Sequence, residues 1–399
     1  MTDRDNPQSG PWAAATRLVH AGSEANETAA ITVPIYQSST FRFDSAEQGA
    51  ELCAATAPSH LYTRWGNPTT RALELALADV EGGEAALAFS SGMAAGATAV
   101  MPMVASGDHV VAANCLYAGM TELFERVLPP LGVETTFVDP SEDGAFERAL
   151  RPETKLIYVE TPANPTLAIT DLEAVARLAR ERGIFTLADN TWASPWNTRP
   201  IELGIDAVIH SATKYLGGHS DLIAGAAVGR QEWVDRVWPY LKIFGGCPSP
   251  HDAWLLQRGM KTLGLRVDRQ NATAQTVAEF LAAHPQVARV YYPGLPDHPG
   301  HEIARRQMHG FGGMLSFEVR GGFDAGRRLL ESVRLITHAV SLGGVETLAV
   351  HPASTTHAPL TSEERQRADI SDGLIRMSIG LEEPADLVAD LELGLTGGA

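Results

Sequence analysis

The chain has 399 residues, 44 % of them hydrophobic and 20 % charged, which is enough to bury the core of two domains and too apolar for wholesale disorder. Its 31 basic and 48 acidic residues give a formal charge of −17, so there is no basic field to hold nucleic acid or an anionic membrane. Cys53, Cys115 and Cys247 are odd in number and widely spaced, and form neither a disulfide framework nor a C-x-x-C metal pair. No run of about 18 apolar residues predicts a membrane span, and residues 1–12 lack the apolar core of a signal peptide, so a reducing cytoplasm is expected.

Residues 1–66 alternate short polar and apolar pieces rich in Ser, Thr, Pro and Gly, and read as an arm lying on something else. From residue 67 to 259 the pattern is alternating helices and buried strands. The apolar runs 85–89, 110–113, 156–159, 185–188 and 207–209 are short and unalternated, as strands covered on both faces should be. Leu172, Val175, Ala176 and Ala179 keep helical spacing, with Asp171 ahead of them and Gly183 as a stop. Such alternation predicts an α/β fold with a mainly parallel central sheet. Residues 260–399 read as a smaller α+β domain: two helical stretches, strands at 287–292, 314–319, 335–341 and 374–379, and a final helix.

Lysine is scarce, and Lys155, Lys214, Lys242 and Lys261 are the only four. Lys155 opens a strand, and Lys242 and Lys261 fall on helical surface. Lys214 follows a buried strand within Ser-Ala-Thr-Lys-Tyr-Leu-Gly-Gly-His, flanked by hydroxyls and followed by glycines. The carboxyl edge of a parallel sheet is where such folds place chemistry, and an amine there becomes a Schiff-base nucleophile if its pKa is lowered; a solvated loop lysine is the plain alternative. Asp189 ends the run 185–188, and a carboxylate leaving a buried strand needs a partner: a protonated pyridine nitrogen, or merely a cap or loop hydrogen bond. Residues 89–96, Phe-Ser-Ser-Gly-Met-Ala-Ala-Gly, turn a strand into a helix of small residues. Free amides at that start, with Gly92 allowing close approach, suit a phosphate, and Ser211 and Thr213 offer hydroxyls to it; easier helix–sheet packing is the competing reason for the small residues. No G-x-G-x-x-G follows a strand, and Walker A, G-x-S-x-G and H-E-x-x-H are absent, which leaves a nicotinamide oxidoreductase unsupported.

With Tyr62-Thr-Arg64-Trp-Gly-Asn-Pro-Thr, Glu160-Thr-Pro-Ala-Asn164-Pro-Thr and Arg376-Met-Ser-Ile-Gly-Leu-Glu, these segments resemble the Cys/Met-metabolism family of pyridoxal-5′-phosphate (PLP) enzymes, from about Thr16 to Leu395. The resemblance implies a fold-type-I, aspartate-aminotransferase-like architecture. It implies that Lys214 holds PLP as a Schiff base and shuttles protons, that Asp189 pairs with the pyridinium nitrogen, and that Tyr117 stacks on the ring and serves the leaving group. Gly92 and Met93 (through their backbone), Ser211 and Thr213 would hold the phosphate, with Tyr62 and Arg64 reaching in from a neighbouring subunit. Asn164 would lie by the phenolic oxygen, and Arg376 would grip the substrate carboxylate, with Ser341 beside it and Lys214. A homotetramer of two tight dimers with shared sites is implied, acting on a small amino acid. Retention of Lys214, Asp189, Tyr117 and Arg376 together argues against a nonenzymatic PLP-carrying scaffold.

The reaction is less plainly written. Asp189-Asn-Thr-Trp-Ala and Gly-His219-Ser-Asp resemble the β-lyases, whereas Ala339-Val-Ser-Leu-Gly-Gly, Glu346-Thr-Leu and the His-Pro-Ala-Ser-Thr-Thr-His ending at His357 resemble the γ-lyases, methionine γ-lyase above all. Leu342 stands where β-lyases often have an aromatic residue. Gly119 replaces the cysteine common in methionine γ-lyases, and Val340 replaces a glutamate common in enzymes of cystathionine. A γ-lyase is expected, with γ-replacement on an O-acyl- or O-succinyl-homoserine, or cystathionine β-elimination, as alternatives. Glycine at 119 is expected to leave room for leaving groups bulkier or more polar than thiomethyl, with a loop glycine chosen for its backbone as the competing reading. Val340, Trp192 and the segment around Phe244 are the next positions to set substrate choice.

Overall fold

The computed structural model describes residues 12–55, 57–355, 358, 361, 365 and 370–397. Its larger sheet contains β1 (Ala85–Phe89), β2 (His109–Ala113), β3 (Glu134–Val138), β4 (Thr154–Glu160), β5 (Phe185–Asp189), β6 (Ala207–His210) and β7 (Gly225–Gly229), in the spatial order β1-β7-β6-β5-β4-β2-β3. β7 is antiparallel to both β1 and β6, and the remaining pairs are parallel. β1 therefore runs with β6, so six strands point one way and one points back.

Both faces of this sheet are covered along its inner strands, which are mainly apolar for that reason, whereas the edge strand β3 is partly exposed. Ala85, Leu87 and Phe89 enter one core with the helices Gly92–Val100, Leu172–Arg182 and Gln231–Phe244. Ala86 and Ala88 enter a second core with the helices Pro68–Glu81 and Pro250–Met260. The expected border at 259/260 falls in the last turn of that latter helix.

A second, smaller sheet holds β8 (Val287–Tyr291), β9 (Met314–Val319), β10 (Thr337–His338), β11 (Leu348–Val350) and β12 (Leu374–Ser378), in the order β10-β11-β12-β9-β8. The helices Leu263–Ala283, Gly322–Ser332 and Pro384–Thr396 close a third core over it. The strand expected over 335–341 shrinks to two residues, because β11 offers only three residues to pair with and the chain turns away at Ser341, whose φ of 118° is left-handed.

The first segment packs on its own chain in places. Leu18 and Ala21 are buried, and Tyr36 N–H donates to Thr69 Oγ1 at 2.9 Å. Elsewhere it is open: Ile31 is 98 % exposed and Phe43 49 %.

Candidate active site

Five strands that run together end at one edge, and each delivers a polar residue there. After β1, Ser91 caps the helix Gly92–Val100 by accepting from Ala94 N at 3.0 Å, which leaves the Gly92 and Met93 amides at the helix start without intrahelical partners. After β6 the chain turns through Ser211, Thr213 and Lys214, with Gly218 N–H returning to Lys214 O at 2.7 Å. The two turns touch: a Cβ built on Gly92 would stand 2.7 Å from Ser211 Cβ and 2.9 Å from its Oγ, so only glycine allows this approach. Thr213 Oγ1 is engaged with Ala224, donating to its carbonyl at 3.2 Å and accepting from its amide at 3.0 Å.

Asp189 ends β5 in a buried position, and its Oδ1 accepts from Thr191 N at 2.9 Å. The Thr191 hydroxyl also accepts from Ser211 N at 2.8 Å, tying the β5 end to the lysine turn. Burial pushes the Asp189 carboxyl up, while Thr191 and the charge of His210 pull it down. His210 in turn is bound to buried Glu81, which also accepts from Asn190 Nδ2 at 2.8 Å. Glu160 ends β4 directly beside Asp189 in the ladder, and its Oε2 accepts from Tyr117 N at 2.7 Å. Tyr117, which follows β2, starts a short helix with its side chain 54 % exposed.

The second sheet supplies the other half. Arg376, on β12, donates from Nη1 to Asn164 Oδ1 and from Nη2 to Ser341 O, both at 3.1 Å. Its guanidinium lies 5.9 Å from the Trp192 ring centre. Burial brings its pKa down to about 10, which leaves it charged at neutral pH. Lys214 Nζ donates to Ser341 Oγ at 2.9 Å, and burial followed by the Arg376 charge holds its pKa below the ordinary lysine value. Ser341 thus joins the two cations. Gly343 fixes that loop by donating to Ser378 Oγ at 2.9 Å, and its missing Cβ accommodates Tyr215 N.

Lys214, Ser341, Arg376 and Asn164 are therefore one bonded group; Asp189, Ser211 and Gly92 adjoin it through Thr191 and the lysine turn. Tyr62 and Arg64 stand apart. The Arg64 guanidinium lies 5.5 Å from the Tyr62 ring centre and is bound to the carbonyl of Lys242 in the same chain. Lys242 is not plain helical surface: its Nζ lies between the Trp65 and Trp238 rings, at 4.7 and 4.6 Å from their centres. Glu160, Thr191 and the Glu81–His210 pair carry no role in the sequence reading. Glu160 had a visible signal, a carboxylate closing an apolar strand, but its partner is a backbone amide 43 residues away.

An amine of lowered pKa, a buried carboxylate and an anion cradle gathered at the carboxyl edge of a parallel sheet define a class: an α/β enzyme working through an electrophilic phosphorylated cofactor. Residues 15–396 match the family described as Cys/Met metabolism PLP-dependent enzyme. L-methionine gamma-lyase from Fusobacterium nucleatum is 48 % identical over 383 residues, covering 95 % of this chain and 97 % of that protein. Cystathionine gamma-lyase from Bacillus subtilis is 45 % identical (94 % and 97 % covered), and cystathionine gamma-synthase from Mycobacterium bovis 47 % (97 % of each). The crystal structure of cystathionine gamma-lyase from Lactobacillus plantarum superposes with a TM-score of 0.90 at 41 % identity, covering 97 % of this chain and 99 % of that one. The chain belongs to the Cys/Met-metabolism family of PLP-dependent enzymes, and PLP is its cofactor. The residues present fit it: an amine, a carboxylate for the ring nitrogen, and the Gly92 and Met93 amides with the Ser211 hydroxyl close beside them.

Proposed function

We propose that the chain is a carbon–sulfur lyase of sulfur amino-acid metabolism performing α,γ-elimination, which yields a 2-oxo acid, ammonia and a thiol. Kinship with methionine and cystathionine gamma-lyases supports γ-elimination, and the Lys214–Ser341–Arg376 group supplies the proton-accepting amine and the carboxylate-binding fork that such chemistry needs. PLP, when bound, supplies the electron sink for charge developing on the substrate's carbons. The Gly92 and Met93 amides and Ser211 would hold its phosphate, joined by Thr213 if its hydroxyl turns from the Ala224 carbonyl, while Asp189 would hold its ring nitrogen, Asn164 its phenolic oxygen and Lys214 its carbonyl carbon. Arg376 still has N–H donors beyond its two bonds and takes the substrate carboxylate on them. Lys214 accepts the proton from Cα and passes protons along the side chain, the Ser341 hydroxyl steadying its amine. Tyr117, exposed beside these groups, would lie against the ring and would give a proton to the departing sulfur.

Tyr62 and Arg64 complete the phosphate site of a neighbouring subunit in a homotetramer built from two tight dimers. The exposed apolar side chains Ile31, Phe43, Tyr62, Ile243 and Phe244 support this, since an interface would cover them. Three free cysteines fit a reducing cytoplasm.

A second reading, γ-replacement on an acylated homoserine, is supported by the near-equal identity to the Mycobacterium bovis synthase. Turnover of methionine, cystathionine, cysteine, homocysteine and acyl-homoserines, with and without added thiol, separates the two. Ammonia and a 2-oxo acid support the lyase; a new thioether amino acid formed only with thiol supports the replacement.

A further inference from the structure

Glu160 is a buried carboxyl that the chemistry above does not use. It is 1 % exposed, and its Oε1 has no hydrogen-bond partner. Around it lie Asp189 on β5, the Tyr158 hydroxyl on its own strand (likewise buried and without a partner), and the Cys115 thiol and Tyr117 amide from the segment after β2. His210 on β6 acts on Asp189 and is taken up by Glu81. No lysine or arginine among the described residues bonds to Glu160. Two carboxylates side by side in a strand ladder with no cation between them do not both ionise in the dry interior; one keeps a proton. Asp189 has the Thr191 bonds and the His210 charge to stabilise its ionised form, whereas Glu160 has one amide. The proton therefore belongs to Glu160, whose carboxyl burial and the Asp189 charge hold well above the usual range.

We propose that Glu160 is a positioning residue that works as an uncharged carboxylic acid: one oxygen fixes the amide from which Tyr117 springs, and its retained proton leaves Asp189 as the single negative charge at the two strand ends. The proposal rests on the reading that Tyr117 and Asp189 face PLP, but its central claim is testable without the cofactor. A carboxyl protonated in the fold and ionised in the unfolded chain costs stability as pH rises, because unfolding releases its proton. The full chain, with PLP and after its removal, is to be melted from about pH 5 to about pH 8 as wild type, Glu160→Gln and Glu160→Ala. The Tm of Glu160→Gln should gain on wild type steadily as pH rises. Glu160→Gln, which keeps the acceptor, should bind PLP with wild-type affinity and an unchanged visible circular-dichroism band. Glu160→Ala strands the Tyr117 amide and should weaken PLP binding about tenfold and diminish that band.

A Tm difference that is flat in pH would show an ionised Glu160 and overturn the proposal. So would a Glu160→Gln variant as damaged in PLP binding as Glu160→Ala. Should the glutamine variant not fold, the infrared spectrum of Glu74→Gln decides, since burial also pushes the Glu74 carboxyl up to about 7: a protonated carboxylic-acid band remaining at neutral pH supports the idea, and its absence overturns it. Failure of the wild type to take up PLP would instead overturn the functional reading, leaving the pH dependence of the melting curves to judge Glu160.

Discussion

A half-buried amine beside a charged guanidinium gives up its proton more readily than one in water, and Lys214 is such an amine. Borohydride reduction of the PLP-loaded protein should leave a pyridoxyl group on Lys214, and Lys214→Ala should lower kcat at least about a thousandfold. Mass spectrometry placing the label on Lys155, Lys242 or Lys261 would sink the assignment. Gly119 needs a different account from the room expected for larger leaving groups. A Cβ there would stand 2.7 Å from Met93 Sδ and 2.8 Å from Tyr117 Cε1, so the space is already taken by the Met93 side chain and the Tyr117 ring. Gly119→Cys should displace the Tyr117 ring and cost about tenfold in kcat/KM for methionine and cystathionine alike, as overpacking does elsewhere. Adding Met93→Ala should restore much of the loss. A selective gain for methionine in Gly119→Cys would instead favour the simple picture of a vacant corner.

Among the elements, the helix Leu172–Arg182 shows how sequence writes structure locally. Asp171 accepts from Ala174 N at 3.1 Å, Gly183 closes the helix at φ 65°, and the expected residues Leu172, Val175, Ala176 and Ala179 face the core. Asp171→Ala should cost about 1–2 kcal/mol, read as a lower urea midpoint with an unchanged slope. Its ion pair with Arg306 is partly solvated and adds little. An unmoved midpoint would mean that packing alone holds the helix. The strands at 85–89 and 314–319 appear with the expected bounds, because each is an apolar run with clear breaks. β7 was illegible for a physical reason. It is Gly-Ala-Ala-Val-Gly, without the β-branched signature, because Gly225 lies against the Ser91 carbonyl and Gly229 against the Trp233 ring. β3 is an edge strand, half exposed and polar, and gives no apolar run. At the site, Lys214 and Asp189 stood out as polar groups closing buried strands. The bond from Arg376 to Asn164 spans 212 residues, so no local pattern carries it.

At the scale of the whole molecule, Arg64 tests the assembly. It is braced by the Lys242 carbonyl of its own chain, and that lysine is clamped between two indoles, so the loop is presented as a fixed outward feature. Mixing inactive Arg64→Ala with inactive Lys214→Ala should restore about a quarter of wild-type activity after random exchange in equal amounts, since half the dimers would each hold one intact site. No recovery despite proven exchange would assign the loop to its own subunit.

The two sheets contribute different things: Asp189, Lys214 and Ser211 come from the carboxyl edge of the larger one, and Arg376 comes from the smaller, with Ser341 on the loop between its strands. At the site their contributions are joined by Ser341 and Asn164, over a core that both sheets share. Heredity can therefore work on the halves at different tempos, altering the substrate-facing loops while the chemical engine passes down unchanged.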